Sequence, residues 1–259
     1  MSSKSKAINS HSVEGSLRAP SQFVHLHCHS EYSLLDGASR LKDLAARAAE
    51  FKMPALALTD HGSMYAANHH LLLLAKDDEG YRNLIKLVSV GWLEGFYYKP
   101  RIDKDLLSQH CKGLVAASAC LAGEIPELLL QDNVDQAATV AGFYHDLFGE
   151  DFYLELHDHN LAEERKVLPG LIELSRRLAI PMVAANDSHY TRLEDAGAHD
   201  ILLCIQTGKT VNDPGRLRFG TQEFYFKSAG EMADLFGEIP GALSNTLEIA
   251  EKCNFNMDM

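Results

Sequence analysis

FVHLHCHSEY, residues 23–32, sets histidines at alternate positions 25, 27 and 29 behind an apolar start. Alternate residues of a strand share a face, so His27 and His29 form two fingers able to grip one ion. Cys28, between them, faces the other way. Outward from this stretch the chain keeps a rhythm. Short apolar runs, FVHLH (23–27), PALALT (54–59), HLLLLA (70–75), GLVAAS (113–118), FYLELH (152–157) and PMVAAN (181–186), alternate with amphipathic stretches. Helical spacing predicts helices near 39–51, 77–90, 133–147, 162–178 and 193–206, the fourth apolar along Val167, Leu168, Leu171, Ile172 and Leu178 with a kink expected at Pro169. Apolar strands alternating with helices predict an α/β fold of parallel strands buried on both faces, a doubly wound sheet or a barrel. Toward the end, Ser228 and Glu231 make a capping box that opens a helix through Phe236. A second helix is expected over 240–253, and the final NFNMDM carries no stop signal, so the chain reads as cut rather than finished.

Composition narrows the function. Hydrophobic residues make up 46% of the 259, enough for a sizeable core. No apolar run approaches the length needed to span a membrane. Residues 1–22 are polar, lack an apolar signal segment and are expected to form a flexible arm outside the fold. The five cysteines are odd in number and scattered, as expected of reduced thiols in a cytoplasmic protein. A net charge of −12 argues against a general basic surface for nucleic acid. It suits a cation site, or a fragment whose partners supply the basic surface.

The polar residues at the run ends carry the chemistry. His27 and His29 close the first run, with Asp36 just beyond. Asp60 and His61 close the second, Cys120 follows GLVAAS, His159 follows FYLELHD, and Asp187 and His189 follow PMVAAN. Each has a plainer reading alone: HxH as core imidazoles, DHG as a turn, Cys120 as a small buried hydrophobe, NDSH as a helix cap. Five runs ending in His, Asp or Cys point instead to convergence, because the carboxyl ends of parallel strands form one rim where sites are built. Imidazole with carboxylate and one thiolate suits Zn, Mn or Fe(II) better than Ca or Mg, and the eight donors other than Asp60 exceed the needs of one tetrahedral ion. His25 reads as structural. His70 sits at the start of its strand and so on the opposite rim, His157 points elsewhere, and His11, His110, His145 and His199 fall on the arm or on helices.

HLHCHSEYSLLDG, LALTDHGSMYAA and ANDSHY resemble the signature motifs of the polymerase and histidinol phosphatase (PHP) superfamily. The stretches from HLLLLAKDDEGYRNLIKLVSVGWLEGFYYKPRIDKDLL through GLVAASACLAGEIP to HDILLCIQTGKTVNDPGRLRFGTQEFYFKS are similar to its branch at the amino terminus of bacterial replicative DNA polymerase III alpha subunits. The resemblance covers roughly 23–255. It implies a distorted (β/α)7 TIM-like barrel with two or three divalent metal ions on His27, His29, Asp36, His61, Cys120, His159, Asp187 and His189, and Asp60 orienting His61 or a neighbour. It also implies a role in DNA replication with hydrolysis of a terminal phosphodiester, a 3′→5′ proofreading exonuclease. Its partners are then a DNA 3′ end, the remaining polymerase domains and other replisome subunits. The alternative is a silent, metal-braced module supporting the polymerase. A small-molecule phosphatase is the weakest option, and with no palm region the chain is not expected to polymerise. One departure stands out. The family places a helix and a glutamate-bearing strand between the DHG motif and HLLLLA; here MYAA (64–67) runs through Asn68 directly into that run, so a β/α unit is missing.

Overall fold

The computed structural model describes residues 22–33, 36–60, 69–97 and 99–254. His61, the 64–68 connection, most of the expected arm and the last five residues lie outside them.

The helices fall close to their periodicity. They are α1 (Leu41–Glu50), α2 (Asp78–Leu93), α5 (Val134–Phe148), α6 (Ala162–Leu178), α7 (Ala196–Thr207), α8 (Ala229–Phe236) and α9 (Ser244–Lys252). Two short helices that periodicity did not mark are α3 (Lys104–Gln109) and α4 (Glu124–Leu130). Side-chain caps fix several starts. Asp77 accepts from the Gly80 amide at 2.8 Å, and Ser228 with Glu231 forms the expected capping box. Helix α6 continues through Pro169 to Leu178 and buries Val167, Leu171 and Leu174.

The strands are β1 (Leu72–Ala75), β2 (Leu114–Ala117), β3 (Phe152–Leu156) and β4 (Met182–Ala184), in spatial order β1-β2-β3-β4. Pairs β2–β3 and β3–β4 are parallel. The expectation of uniformly parallel strands is corrected at β1, which pairs antiparallel with β2, Leu72 opposite Ala117 and Ala75 opposite Leu114. The first two apolar runs are extended but form only isolated parallel bridges, His25 with Leu56 and Cys28 with Ser188. Backbone bonds from Ala57 to the His25 carbonyl (2.9 Å) and from His29 to the Ser188 carbonyl (2.8 Å) carry the order onward from β4 through 23–30 to 54–59. Among the described residues this order does not close. Its two open edges are the 54–59 run and β1, which are consecutive in sequence. A complete seven-stranded barrel is therefore not what the described residues form; they form a four-stranded mixed sheet with two bridged extensions.

The sheet is buried on both faces, as its near-continuous apolar strands require. Phe152, Leu154 and Leu156 pack with Leu129, Ala141 and Leu171 from α4, α5 and α6. On the other face Tyr153 meets Val24, Leu26, Val115, Val183 and Ile249. Glu155 follows Tyr153 by two residues and is turned inward, 1% exposed.

Candidate metal centre

Parallel pairing brings the carboxyl ends of β2, β3 and β4 and of the 23–30 run to one rim. There His27, His29 and Asp187, all buried, place ligand atoms within 4.8 Å of one another. Asp187 Oδ1 lies 3.2 Å from His27 Nε2 and 2.9 Å from His29 Nε2. Asp187 holds φ at +42°, a left-handed conformation uncommon outside glycine, which turns the chain between Asn186 and Ser188.

The other ring nitrogens show what the cluster lacks. His27 Nδ1–H donates to Glu155 Oε1 at 2.6 Å. His29 Nδ1–H donates to the Ser33 hydroxyl at 3.0 Å, which donates in turn to Asp60 Oδ1 at 2.9 Å. His189 Nδ1–H donates to the Asp187 carbonyl at 2.7 Å, and its Nε2 lies 3.6 Å from Asp36 Oδ2. All three rings spend their Nδ1 proton on a fixed partner and aim Nε2 at a carboxylate. Bare nitrogen and carboxylate oxygen repel, so a proton or a cation must lie between them. Histidines that bind metals are oriented in this way, by a partner on the second nitrogen. The donor set therefore fits divalent cations of the zinc, manganese or iron class.

Electrostatics point the same way. Burial alone lowers the affinity of His27 for a proton, but Asp187 and Glu155 outweigh it and raise its pKa to about 9. His189 is raised against burial by Asp187 and Asp36. Burial works to raise Asp187 and Glu155; His27 and its neighbours hold Asp187 well below the usual carboxylate range and Glu155 at about 2. Without a cation, the rings take up protons to balance buried negative charge.

The remaining predicted residues fall as follows. Asp60 accepts from the Ser30 amide (2.6 Å) and hydroxyl (2.7 Å) and from Ser33, so it steadies His29 through Ser33. The carbonyl of Asp36 accepts from His199 Nε2 at 2.7 Å, so His199, expected on a helix away from the site, seats the Asp36 backbone. Cys120 Sγ lies 3.6 Å from His70 Nδ1. The placement of His70 on the opposite rim is corrected: β1 is antiparallel, so its start lies beside the end of β2. His159 Nδ1 lies 2.6 Å from Glu164 Oε1 and its Nε2 2.6 Å from the Asn186 carbonyl oxygen, and the ring stacks on Phe224. It groups with His157 and Glu164 rather than with Asp187. His157 does not point away: its Nε2–H donates to Glu155 Oε1 at 3.0 Å. Glu155 and Glu164 were missed. A glutamate inside the apolar run FYLEL was the available signal for the first.

Such a rim of imidazoles and carboxylates at strand ends defines a class that sequence comparison makes explicit. The chain matches the PHP domain family over residues 25–69 and 66–159 and belongs to it. It is 47% identical to the DNA polymerase III subunit alpha of Treponema pallidum over 271 residues, covering 90% of this chain and 23% of that protein. It is 43% identical to the DNA polymerase III subunit alpha of Borreliella burgdorferi over 272 residues, covering 90% and 24%. With that of Thermus aquaticus it is 40% identical over 280 residues, covering 91% and 23%. The chain thus spans about a quarter of the length of these relatives. The family match is in two pieces that meet at 66–69, and the alignments run longer than this whole chain, so the relatives carry residues that it lacks.

Proposed function

We propose that this chain is the PHP domain of a bacterial replicative DNA polymerase III alpha subunit and a metal-dependent phosphodiesterase that removes nucleotides from a DNA 3′ end. The observation that carries the reading is the common orientation of His27, His29 and His189, each anchored at Nδ1 with Nε2 aimed at a carboxylate. Divalent cations bound there polarise a phosphoryl oxygen and lower the pKa of water. His27, His29, Asp187 and His189 are the principal ligands, with Asp36, His61, Cys120 and His159 completing the family's set for two or three ions. Glu155 keeps the proton on His27 Nδ1, and Asp60 holds His29 through Ser33. The chain's net charge of −12 does not attract DNA, so the strand is delivered by other polymerase domains in the cytoplasm. Asp187→Ala is expected to abolish manganese-dependent release of nucleotides from a single-stranded oligonucleotide while the fold persists; unchanged release overturns the assignment.

A second reading is a structural module in which the ions brace the fold. The burial of the cluster favours it: His27 is 4% and Asp187 7% exposed. Metal affinity is then folding energy, and chelation lowers the melting temperature of a protein that cleaves neither p-nitrophenyl phosphate, its bis-ester nor an oligonucleotide.

We also infer that one β/α unit of the family is absent after Ala67. The break in the family match and the two open edges of the strand order support it. An intact mass of 28.6 kDa is expected; a heavier chain would place the unit in the protein.

A further inference from the structure

Asp187 holds a left-handed backbone, φ +42°. A residue other than glycine keeps such a conformation only where its surroundings hold it there. The residue before it, Asn186, is 2% exposed, and its side chain is bonded at both polar atoms. Its Nδ2 donates to the Ser188 hydroxyl at 2.9 Å, reaching across Asp187, and to the Tyr225 carbonyl at 2.6 Å. Its Oδ1 accepts from the Lys227 ammonium at 3.0 Å. Its backbone carbonyl oxygen lies 2.6 Å from His159 Nε2.

Lys227 is 3% exposed. A buried ammonium is costly unless acceptors surround it. Here they do. Besides Asn186 Oδ1, the Glu223 carbonyl accepts from Lys227 Nζ, and the Glu223 carboxylate lies 3.3 Å away. The Tyr225 ring faces the same nitrogen at 4.5 Å. An ammonium only donates, so it admits only the oxygen of the Asn186 amide on its side. The amide nitrogen is thereby turned to Ser188 and Tyr225. Ser188 is in turn stitched to the first extended run. Its amide donates to the His27 carbonyl at 3.2 Å, and its carbonyl accepts from the His29 amide at 2.8 Å. The His189 amide donates to the Phe224 carbonyl at 2.8 Å and the Phe226 amide to the Tyr190 carbonyl at 3.0 Å, so 223–227 backs the loop that carries two ligands. Asp187 stands between two fixed neighbours.

We propose that Lys227 is a positioning residue of the metal centre. Through Asn186 it sets the turn that aims Asp187 at His27 and His29, and it sets the carbonyl oxygen beside His159. The proposal rests on the reading of the rim as a metal centre. The hydrogen bonds of Lys227 go to Asn186 and Glu223 and not to Asp187, so its effect passes through one amide side chain. An ammonium that served the fold alone would behave otherwise. Replacing it with an apolar side chain of similar length would be neutral or stabilising for the cation-free chain and would leave zinc affinity untouched.

The test is zinc affinity of the whole chain, by competition against a chelator of known affinity, beside the circular dichroism melt of the cation-free chain. The variants are Lys227→Met, which keeps the length and removes the donor, Asn186→Ala, and the two together. Glu223→Gln is the control, since it weakens the ion pair and leaves the bond to Asn186. Lys227→Met and Asn186→Ala are each expected to weaken zinc binding on the order of 10-fold, the lower end of the cost of removing a partner behind a ligand. The double variant is expected to bind no more weakly than Asn186→Ala, and Glu223→Gln to bind normally. Normal zinc affinity in Lys227→Met overturns the proposal. Losses that multiply in the double variant also overturn it, because Lys227 then acts on the ions by a route other than Asn186. An equal loss in Glu223→Gln overturns it as well, because the ion pair and not the amide then carries the effect. Should Lys227→Met fail to melt cooperatively, the other two single variants decide: zinc held normally by Asn186→Ala, or lost equally by Asn186→Ala and Glu223→Gln, overturns the proposal. An unsubstituted chain that binds no zinc is a different result, which overturns the metal reading of the rim and this proposal with it.

Discussion

Glu155 Oε1 accepts from His27 Nδ1 at 2.6 Å, and the opposite nitrogen of that ring stands 3.2 Å from Asp187. One buried carboxylate on β3 thereby fixes both the tautomer and the aim of a ligand on the first extended run. Glu155→Gln is expected to lower zinc affinity ~10–100-fold, the usual cost of removing the partner that orients a ligating histidine. Competition against a chelator of known affinity reads this directly, and an unchanged affinity would show that Glu155 does not position His27.

Metal uptake by the centre should release protons. In the cation-free protein His27 stays protonated up to about pH 9, so a cation must displace that proton at neutral pH. Affinity is expected to climb with pH from near neutrality to about 9 and then level off. Titrating zinc in weakly buffered solution with a pH indicator gives the proton count; no release would contradict the arrangement.

His25 predicts an acid limb in stability. It is fully buried, its Nε2–H donates to the Lys227 carbonyl at 2.8 Å, and burial pushes its pKa from 6.5 to about 4. Between those values the unfolded chain binds a proton that the folded chain refuses, so stability rises with pH across the window from 4 to 6.5. The contribution is on the order of 3 kcal/mol. Urea unfolding of the chain and of His25→Gln at several pH values should show a shallower acid limb in the variant.

Gly37 couples backbone to site. A Cβ there would lie 1.9 Å from the Ser30 carbonyl oxygen and 2.8 Å from Ser33 Cβ. Gly37→Ala must displace the loop that carries Asp36 and the Ser33 hydroxyl beneath His29. A loss of ~1–3 kcal/mol is expected from overpacking, together with weaker zinc binding. A variant that binds zinc normally would show that the loop adjusts without moving the ligands.

Much of this molecule was legible in its sequence because local rules governed it. Helical spacing located α1, α2, α5, α6 and α7, and the Ser228–Glu231 capping box located α8. The convergence of His27, His29, Asp187 and His189 followed from their positions behind apolar runs. The direction of β1 was not legible, because HLLLLA has the same pattern whichever way it runs. Its antiparallel pairing with β2 is a tertiary choice, and it carried His70 to Cys120. Glu155 and His157 escaped for a related reason: alternation put them on one face of FYLELH, but only the partner strands decide that this face points inward to His27.

The most direct test of the account is the metal content of the chain, purified without chelator or nickel resin and measured by inductively coupled plasma mass spectrometry. Two or more equivalents of zinc, manganese or iron per chain are predicted. Near-zero metal in a protein that melts cooperatively would contradict it, and would mean that protons alone bridge His27, His29 and Asp187.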